Sequence, residues 1–175
     1  MTASASKSDN IRLRAMEPED LDLLYRIEND MDLWDVGVTN VPYSRYILQN
    51  YMSLAIGDIY KDRQVRLMIE RADGTVVGIV DVIDFNPSHL RAEVGIVIER
   101  EHRRCGYACE ALRQVADYAQ KVLHLHQLYA VADSGNTPSI NLFTKMGYKT
   151  TATLADWLYD GQSHHDAVVM QLSLR

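Results

Sequence analysis

EREHRRCGYACEAL, residues 99–112, is the stretch on which the fold turns. Before it lies VGIVI, residues 94–98, apolar on both faces as a central strand is. After it Ala108, Leu112, Val115, Ala119 and Val122 recur at helical spacing, the stripe of an amphipathic helix. A loop that runs from a strand end into a helix start gathers N–H groups with no partner inside the helix. The helix dipole adds to them, so such a loop is an anion site. Gly106 lets the main chain approach a ligand closely. Ala108 keeps the first turn uncrowded, and Arg103 and Arg104 bring charge beside the amides. These features predict a phosphate ligand, a pyrophosphate best of all.

Outward from the loop, the rest of the chain reads as strands with a few helices. HLHQLYAVAD predicts a strand near 127–132, so the centre is strand, helix, strand: a parallel crossover. Upstream, residues 65–70, 75–84 and 91–98 predict three strands, the first two joined by the Asp73-Gly74 turn. Residues 11–14 predict a short leading strand. A helix opened by Pro18 follows it, with Glu19 and Asp20 near its positive end and Leu21, Leu24 and Ile27 at helical spacing. A second helix is expected from about Ser44 to Tyr60, offering Ile47, Tyr51, Leu54 and Ile56 for burial. Downstream, NTPSINLFTKMGY predicts a short helix stopped by Gly147. Strands near 148–155 and 164–173 follow, joined through Asp160-Gly161. The class is α/β (α+β): six to seven mostly antiparallel strands around a central parallel pair, with about four helices.

A chain of 175 residues suits one domain, here 9–175 behind a polar tail at 1–8. No apolar run approaches the ~20 residues of a membrane span, and the start has no secretory h-region. Two cysteines, Cys105 and Cys109, are too few for a zinc site, and none of the six histidines pairs with them at finger spacing. His164 and His165 alternate across a strand, which argues against a shared metal. A reduced, cytoplasmic setting is expected. The net charge of −6 argues against nucleic acid as a partner and suits a cationic substrate. A Walker loop needs Gly-Lys-Ser/Thr and a dinucleotide fold needs G-x-G-x-x-G; the chain has neither.

The pattern Arg103-x-x-Gly106-x-Ala108 resembles the Q/R-x-x-G-x-G/A signature of the GNAT superfamily of N-acetyltransferases. The segment from Asn136 through Ser139, Phe143 and Lys145 to Gly147-Tyr148 resembles that family's N-x-x-A/S-x-x-x-Y/F-x-K/R-x-G-F/Y run. The likeness covers about residues 10–173. VVGIVDVIDFNPSHLRAEVGIVI, HQLYAVAD and WLYDGQSHHD are most similar to the branch with spermidine N-acetyltransferases and ribosomal-protein N-terminal acetyltransferases. The resemblance implies acetyl transfer from acetyl-CoA (coenzyme A) to a small amine or a peptide N-terminus, by direct attack through a tetrahedral intermediate. It implies that strands 94–98 and 127–132 splay around the thioester. Val97 and Ile98 would then hold the pantetheine arm, and Arg103, Arg104, Cys105, Gly106, Tyr107 and Ala108 the pyrophosphate. Asn136, Ser139, Phe143 and Lys145 would complete the cofactor site. A homodimer or higher homo-oligomer is expected, since exposed edges of such sheets often pair. A catalytically weak acyl-CoA-binding module, and an unrelated α/β domain with a phosphate loop, are the alternatives.

The reaction needs a neutral amine, and alkylamines have pKa values near ~10, so a base must take a proton. Glu93 is the first candidate and Glu28 the second; the other reading of Glu93 is an ion pair with Arg91 or Arg66. A main-chain N–H near Val97 or Ile98 would stabilise the oxyanion. Relatives carry a tyrosine acid where this chain has Phe143, which cannot donate a proton. Thiolate departure near pH 7 is uphill by about 2 kcal/mol for a thiol of pKa about 8.5. A water, or Tyr107, Tyr129 or Tyr148, could cover that. On the substrate side, Glu17, Glu19, Asp20 and Asp22 belong to a helix start. Glu28, Asp30, Asp32 and Asp35 are left over, either for a polyamine or as a solvated helix end, with Trp34 and Tyr43 shaping a pocket. The spermidine enzymes carry an acidic pair before the second helix; Thr39-Asn40-Val41-Pro42 has none.

Overall fold

The computed structural model describes residues 11–30, 41–54 and 57–174. Strand β1 (Ile11–Arg14) leads into a 3-10 turn at Pro18–Asp20 and helix α1 (Leu21–Glu28). Helices α2 (Arg45–Leu54) and α3 (Ile59–Asp62) precede strands β2 (Val65–Arg71), β3 (Val76–Asn86) and β4 (Arg91–Ile98). Helix α4 (Tyr107–Lys121), strand β5 (Gln127–Asp133) and helix α5 (Thr137–Lys145) follow. A hairpin of β6 (Lys149–Tyr159) and β7 (His164–Ser173) completes the fold. The strands form one seven-stranded sheet in the order β1-β2-β3-β4-β5-β7-β6. Only β4 and β5 run parallel, as the crossover requires.

That parallel ladder is short. It pairs Arg91 with Gln127, Ala92 with Leu128 and Glu93 with Tyr129. Beyond Glu93, β4 stays on β3 up to Ile98, and β5 stays on β7 up to Asp133. The sheet therefore opens into a wedge between residues 94–98 and 130–133.

Burial holds both faces. Leu112, Val115 and Ala119 of α4 pack against Val80, Val82, Ala92, Val94 and Leu128. On the other face Leu23 and Ile27 of α1 cover Met68 and Ile79. Each such aliphatic side chain contributes about 1.5–3 kcal/mol by leaving water. Around β1, buried Glu70 accepts from Arg12 at 2.8 Å and pairs with Arg14, which also grips Asp20 with two nitrogens at 2.7 and 2.8 Å.

Three expectations are corrected. The helix over 44–60 is two helices, because Asp58 accepts from the Tyr60 N–H and starts α3 afresh, after Gly57 at φ 74°. The described residues thus hold five α-helices rather than about four. Leu48 is the buried residue of α2, while Ile47 and Leu54 are exposed; Ile56 lies outside the described residues. Third, Val122 is exposed: α4 ends at Lys121, and the departing chain buries Leu123 and Leu125 in its place. The 1–8 tail also lies outside the described residues.

Candidate active site

The loop between β4 and α4 is built as its sequence suggests. A 3-10 turn at Arg100–His102 carries the chain off the strand, and the Arg103 guanidinium turns back to donate to the Ile98 carbonyl at 3.0 Å. Arg104 at φ 63° and Gly106 at φ 86° both adopt the left-handed conformation. Alternating main-chain hands turn successive N–H groups inward, a nest for an anion. The first helical bond of α4 runs from Glu110 N–H to the Gly106 carbonyl, and among the described residues no side chain caps the helix. The first-turn amides are thus left to a ligand. Arg103, Arg104 and Cys105 are exposed around them. The Tyr107 side chain is buried in the core, so only its main chain reaches the loop.

Past Glu93, the β5-facing main chain of β4 has no strand partner among the described residues. Gly78 on β3 keeps this stretch in place: a Cβ there would lie 2.2 Å from the Val97 carbonyl. A cleft of about 750 Å³ opens from the wedge toward α1 and α2, lined by Val97, Asn136, Ser139 and Phe143. Asn136 also caps α5, its Oδ1 accepting from the Ser139 N–H at 3.1 Å. Phe143 is buried and meets Tyr148 edge to face at 5.0 Å. Tyr148 is buried too, its hydroxyl without a hydrogen-bond partner among the described residues, and burial pushes its pKa up. Lys145 is exposed on the last turn of α5 and does not line the cleft.

The acceptor side of the cleft is acidic. Glu28, Asp81, Glu93 and Asp133 line it, against Arg66 alone among the described cations. Arg66 forks onto Asp81 at 2.7 and 2.8 Å and also pairs with Glu28. Burial works against the guanidinium charge, but the bonds to Asp81 and the charges of Asp81 and Glu28 outweigh it and hold its pKa high. Arg66 is thus not paired with Glu93. Burial raises the Glu93 pKa above the usual carboxyl range; the Tyr129 hydroxyl lowers it and the Asp84 charge raises it. Asp32, Trp34 and Asp35 lie outside the described residues.

Sequence reasoning passed over Asp81 and Asp84, and saw Arg66 only as a possible partner of Glu93. A signal for the first pair was present: Arg66 and Asp81 are charges on apolar strands, and they are cross-strand partners. His164 and His165 serve the hairpin: His164 stacks on Tyr159, and His165 meets Asp160 at 2.8 Å.

The uncapped helix start, the nest and the open wedge fit a nucleotide pyrophosphate with an extended arm. The family model described as an acetyltransferase (GNAT) domain matches residues 10–149. The chain belongs to this family: it is an acetyl-CoA-dependent N-acetyltransferase. The spermidine N(1)-acetyltransferase of Escherichia coli K12 is 26% identical over 165 residues, covering 92% of this chain and 84% of the relative. A putative ribosomal N-acetyltransferase of Bacillus subtilis is 27% identical, covering 96% and 93%. Among solved structures, the spermidine N-acetyltransferase of Vibrio cholerae in complex with CoA and spermine superposes with a TM-score of 0.87. It is 23% identical and covers 95% of this chain and 96% of its own, a likeness of fold.

Proposed function

We propose that this chain acetylates a small polyamine-like amine, and that the acidic cleft is its acceptor site. The single observation that carries the reading is the charge of the cleft: Glu28, Asp81, Glu93 and Asp133 against an Arg66 already taken by two of them. Such a wall attracts a multiply protonated amine and repels an anionic acceptor. The enzymes named for spermidine among the relatives support the same choice.

When bound, acetyl-CoA supplies an activated acyl group. The nest from Arg103 to Ala108 would hold its pyrophosphate through main-chain N–H groups and the Arg103 and Arg104 charges. Residues 97 and 98 would hold the pantetheine arm by strand-like bonds, with Asn136 and Ser139 beside it. Glu93 takes a proton from the acceptor ammonium. Its raised proton affinity suits that task, because a base works best near the operating pH. Glu28 is tied to Arg66, so its part is to bind the acceptor rather than deprotonate it. The main-chain N–H of Ile98, on the wedge side of β4, would stabilise negative charge on the acyl oxygen during transfer. Phe143 offers no proton, and the Tyr107 side chain is buried in the core and the Tyr129 hydroxyl held by Asp84, so the leaving thiolate would take its proton from solvent.

Two further features belong to this reading. The outer strand β6 is long and mostly exposed and carries Trp157 and Tyr159 at 63% and 61% exposure, an edge suited to pairing with a second copy. A related Vibrio cholerae spermidine N-acetyltransferase is dodecameric. Cys105 and Cys109 are free thiols, in keeping with a cytoplasmic enzyme. The test is an acceptor competition at fixed acetyl-CoA. Spermidine outcompeting a peptide that begins with Ser supports the reading; preference for the peptide overturns it.

A further inference from the structure

Strand β3 loses its register between Ile83 and Asn86, which pair with Glu93 and Arg91 on β4. Two residues, Asp84 and Phe85, thus stand opposite Ala92. Val80 and Val82 point into the core, and simple alternation would send Asp84 after them. Instead Asp84 takes a left-handed backbone at φ 46°, and Phe85 fills the core position. A bulge of this kind re-aims one side chain, and Asp tolerates the left-handed region better than most residues. The re-aimed carboxylate accepts from the Tyr129 hydroxyl at 2.5 Å. Tyr129 is the parallel partner of Glu93 on the last rung before β4 and β5 separate.

We infer that Tyr129 and Asp84 are positioning residues that hold and tune the Glu93 carboxylate at the mouth of the wedge. The inference rests on the reading of Glu93 as the base. The Tyr129 hydroxyl donates its one proton to Asp84 on β3, and its ring shares a rung with Glu93 on β4, so the three groups meet across three adjacent strands. The two neighbours act in opposite senses. The negative Asp84 disfavours the ionised Glu93, and the Tyr129 hydroxyl favours it, because its single proton offsets the Asp84 charge or turns to Glu93 itself; burial, the largest influence, is common to both variants. The other charges around the unit are Arg91 on β4, Asp81 on β3, Asp133 on β5, and Arg66 with Glu28 across the cleft, together with the Tyr51 phenol. Arg66 is engaged by Asp81 and Glu28, so Glu93 answers mainly to Asp84 and Tyr129.

The test uses the full chain as wild type, Asp84→Asn and Tyr129→Phe. Asn keeps the size and the left-handed tolerance of Asp, and Phe keeps the ring, so both variants are expected to fold. Carbon-detected NMR, with Glu93 assigned against Glu93→Gln, gives its titration midpoint without any substrate. Asp84→Asn is expected to lower that midpoint and Tyr129→Phe to raise it. The acid limb of kcat/KM for spermidine then moves the same way in each: to lower pH in the first, to higher pH in the second. Midpoints that stay put, or move in the same direction, overturn the inference. If wild type leaves spermidine untouched, the acceptor reading falls, and the NMR midpoints still decide the inference. Midpoints that separate while the acid limb stands still uphold the three-residue unit and remove Glu93 from the chemistry.

Discussion

Replacing Gly106 separates two things that this position does. Its φ of 86° and ψ of −6° lie in the left-handed region. Any side chain there costs about 1–2 kcal/mol of backbone strain. For a chain of this size that corresponds to a fall in Tm of about 2–8 °C. Free and loaded protein share the strain, so Gly106→Ala should lower Tm while changing the acetyl-CoA Kd less than about tenfold. Gly106→Glu adds a carboxylate to the same strain. Brought within about 4 Å of a phosphate charge, at an effective dielectric near 20, it opposes binding by about 4 kcal/mol. That is roughly a thousandfold in Kd. The Debye length of about 8 Å at physiological salt exceeds this separation, so screening removes only part of it. Calorimetric titration of both variants with acetyl-CoA, after melting curves confirm folding, reads the difference. A folded Gly106→Glu that binds acetyl-CoA as tightly as Gly106→Ala would refute the placement of the pyrophosphate in this nest.

Other expectations follow from the same geometry. Glu93→Gln should lower kcat/KM for spermidine by about a hundredfold, with a deficit that narrows as rising pH supplies free amine. A rate profile unchanged in height and shape would make Glu93 structural. Arg66→Met leaves the Glu28 and Asp81 carboxylates facing each other without their cation, since Arg66 is only 17% exposed. It should destabilise the fold by about 3 kcal/mol or more, measured by urea unfolding, and an unchanged midpoint would contradict the pairing. The Asp20 pKa is lowered: burial pushes it up, but the Arg14 hydrogen bond and the Glu17 main chain outweigh that. Glu70 is lowered by Arg14 and Arg12. Groups with depressed folded pKa values stabilise above their unfolded pKa and lose that contribution as pH falls through the folded one. Tm should therefore fall progressively below about pH 4, and Asp20→Asn should flatten the fall. An equal slope in the variant would refute the assignment.

How much of this was legible in the sequence depends on the range of the interaction. The β4–loop–α4 unit could be read because its signals are local: an apolar strand, a glycine, then a stripe at helical spacing. The crossover predicted the parallel pair, whereas the wedge was implied only by the resemblance to the acetyltransferase family. The break between α2 and α3 was also written locally, in Gly57-Asp58, a stop followed by a cap. The misplaced end of the α4 stripe has a different cause. Periodicity continues through Val122, but the backbone leaves the helix there and Leu123 takes the buried position. The Asp84–Tyr129 contact joins residues 45 apart through a bulge. Its only trace is phase: core positions fall at Val80 and Val82, then skip to Phe85. Arg66 was legible only in part: Asp81 faces it across the β2–β3 hairpin, but Glu28 comes from α1, which no local pattern brings to the same place.

If the acidic cleft receives the acetyl acceptor, it should select a cationic amine. Release of free thiol from acetyl-CoA tests it most directly, measured over spermidine, spermine, short diamines, amino acids and peptides beginning with Ser, Ala or Met. Release is expected with spermidine and spermine, falling through the short diamines and lost with amino acids and peptides. Release confined to the peptides, or none with any amine by protein that binds acetyl-CoA, would contradict it.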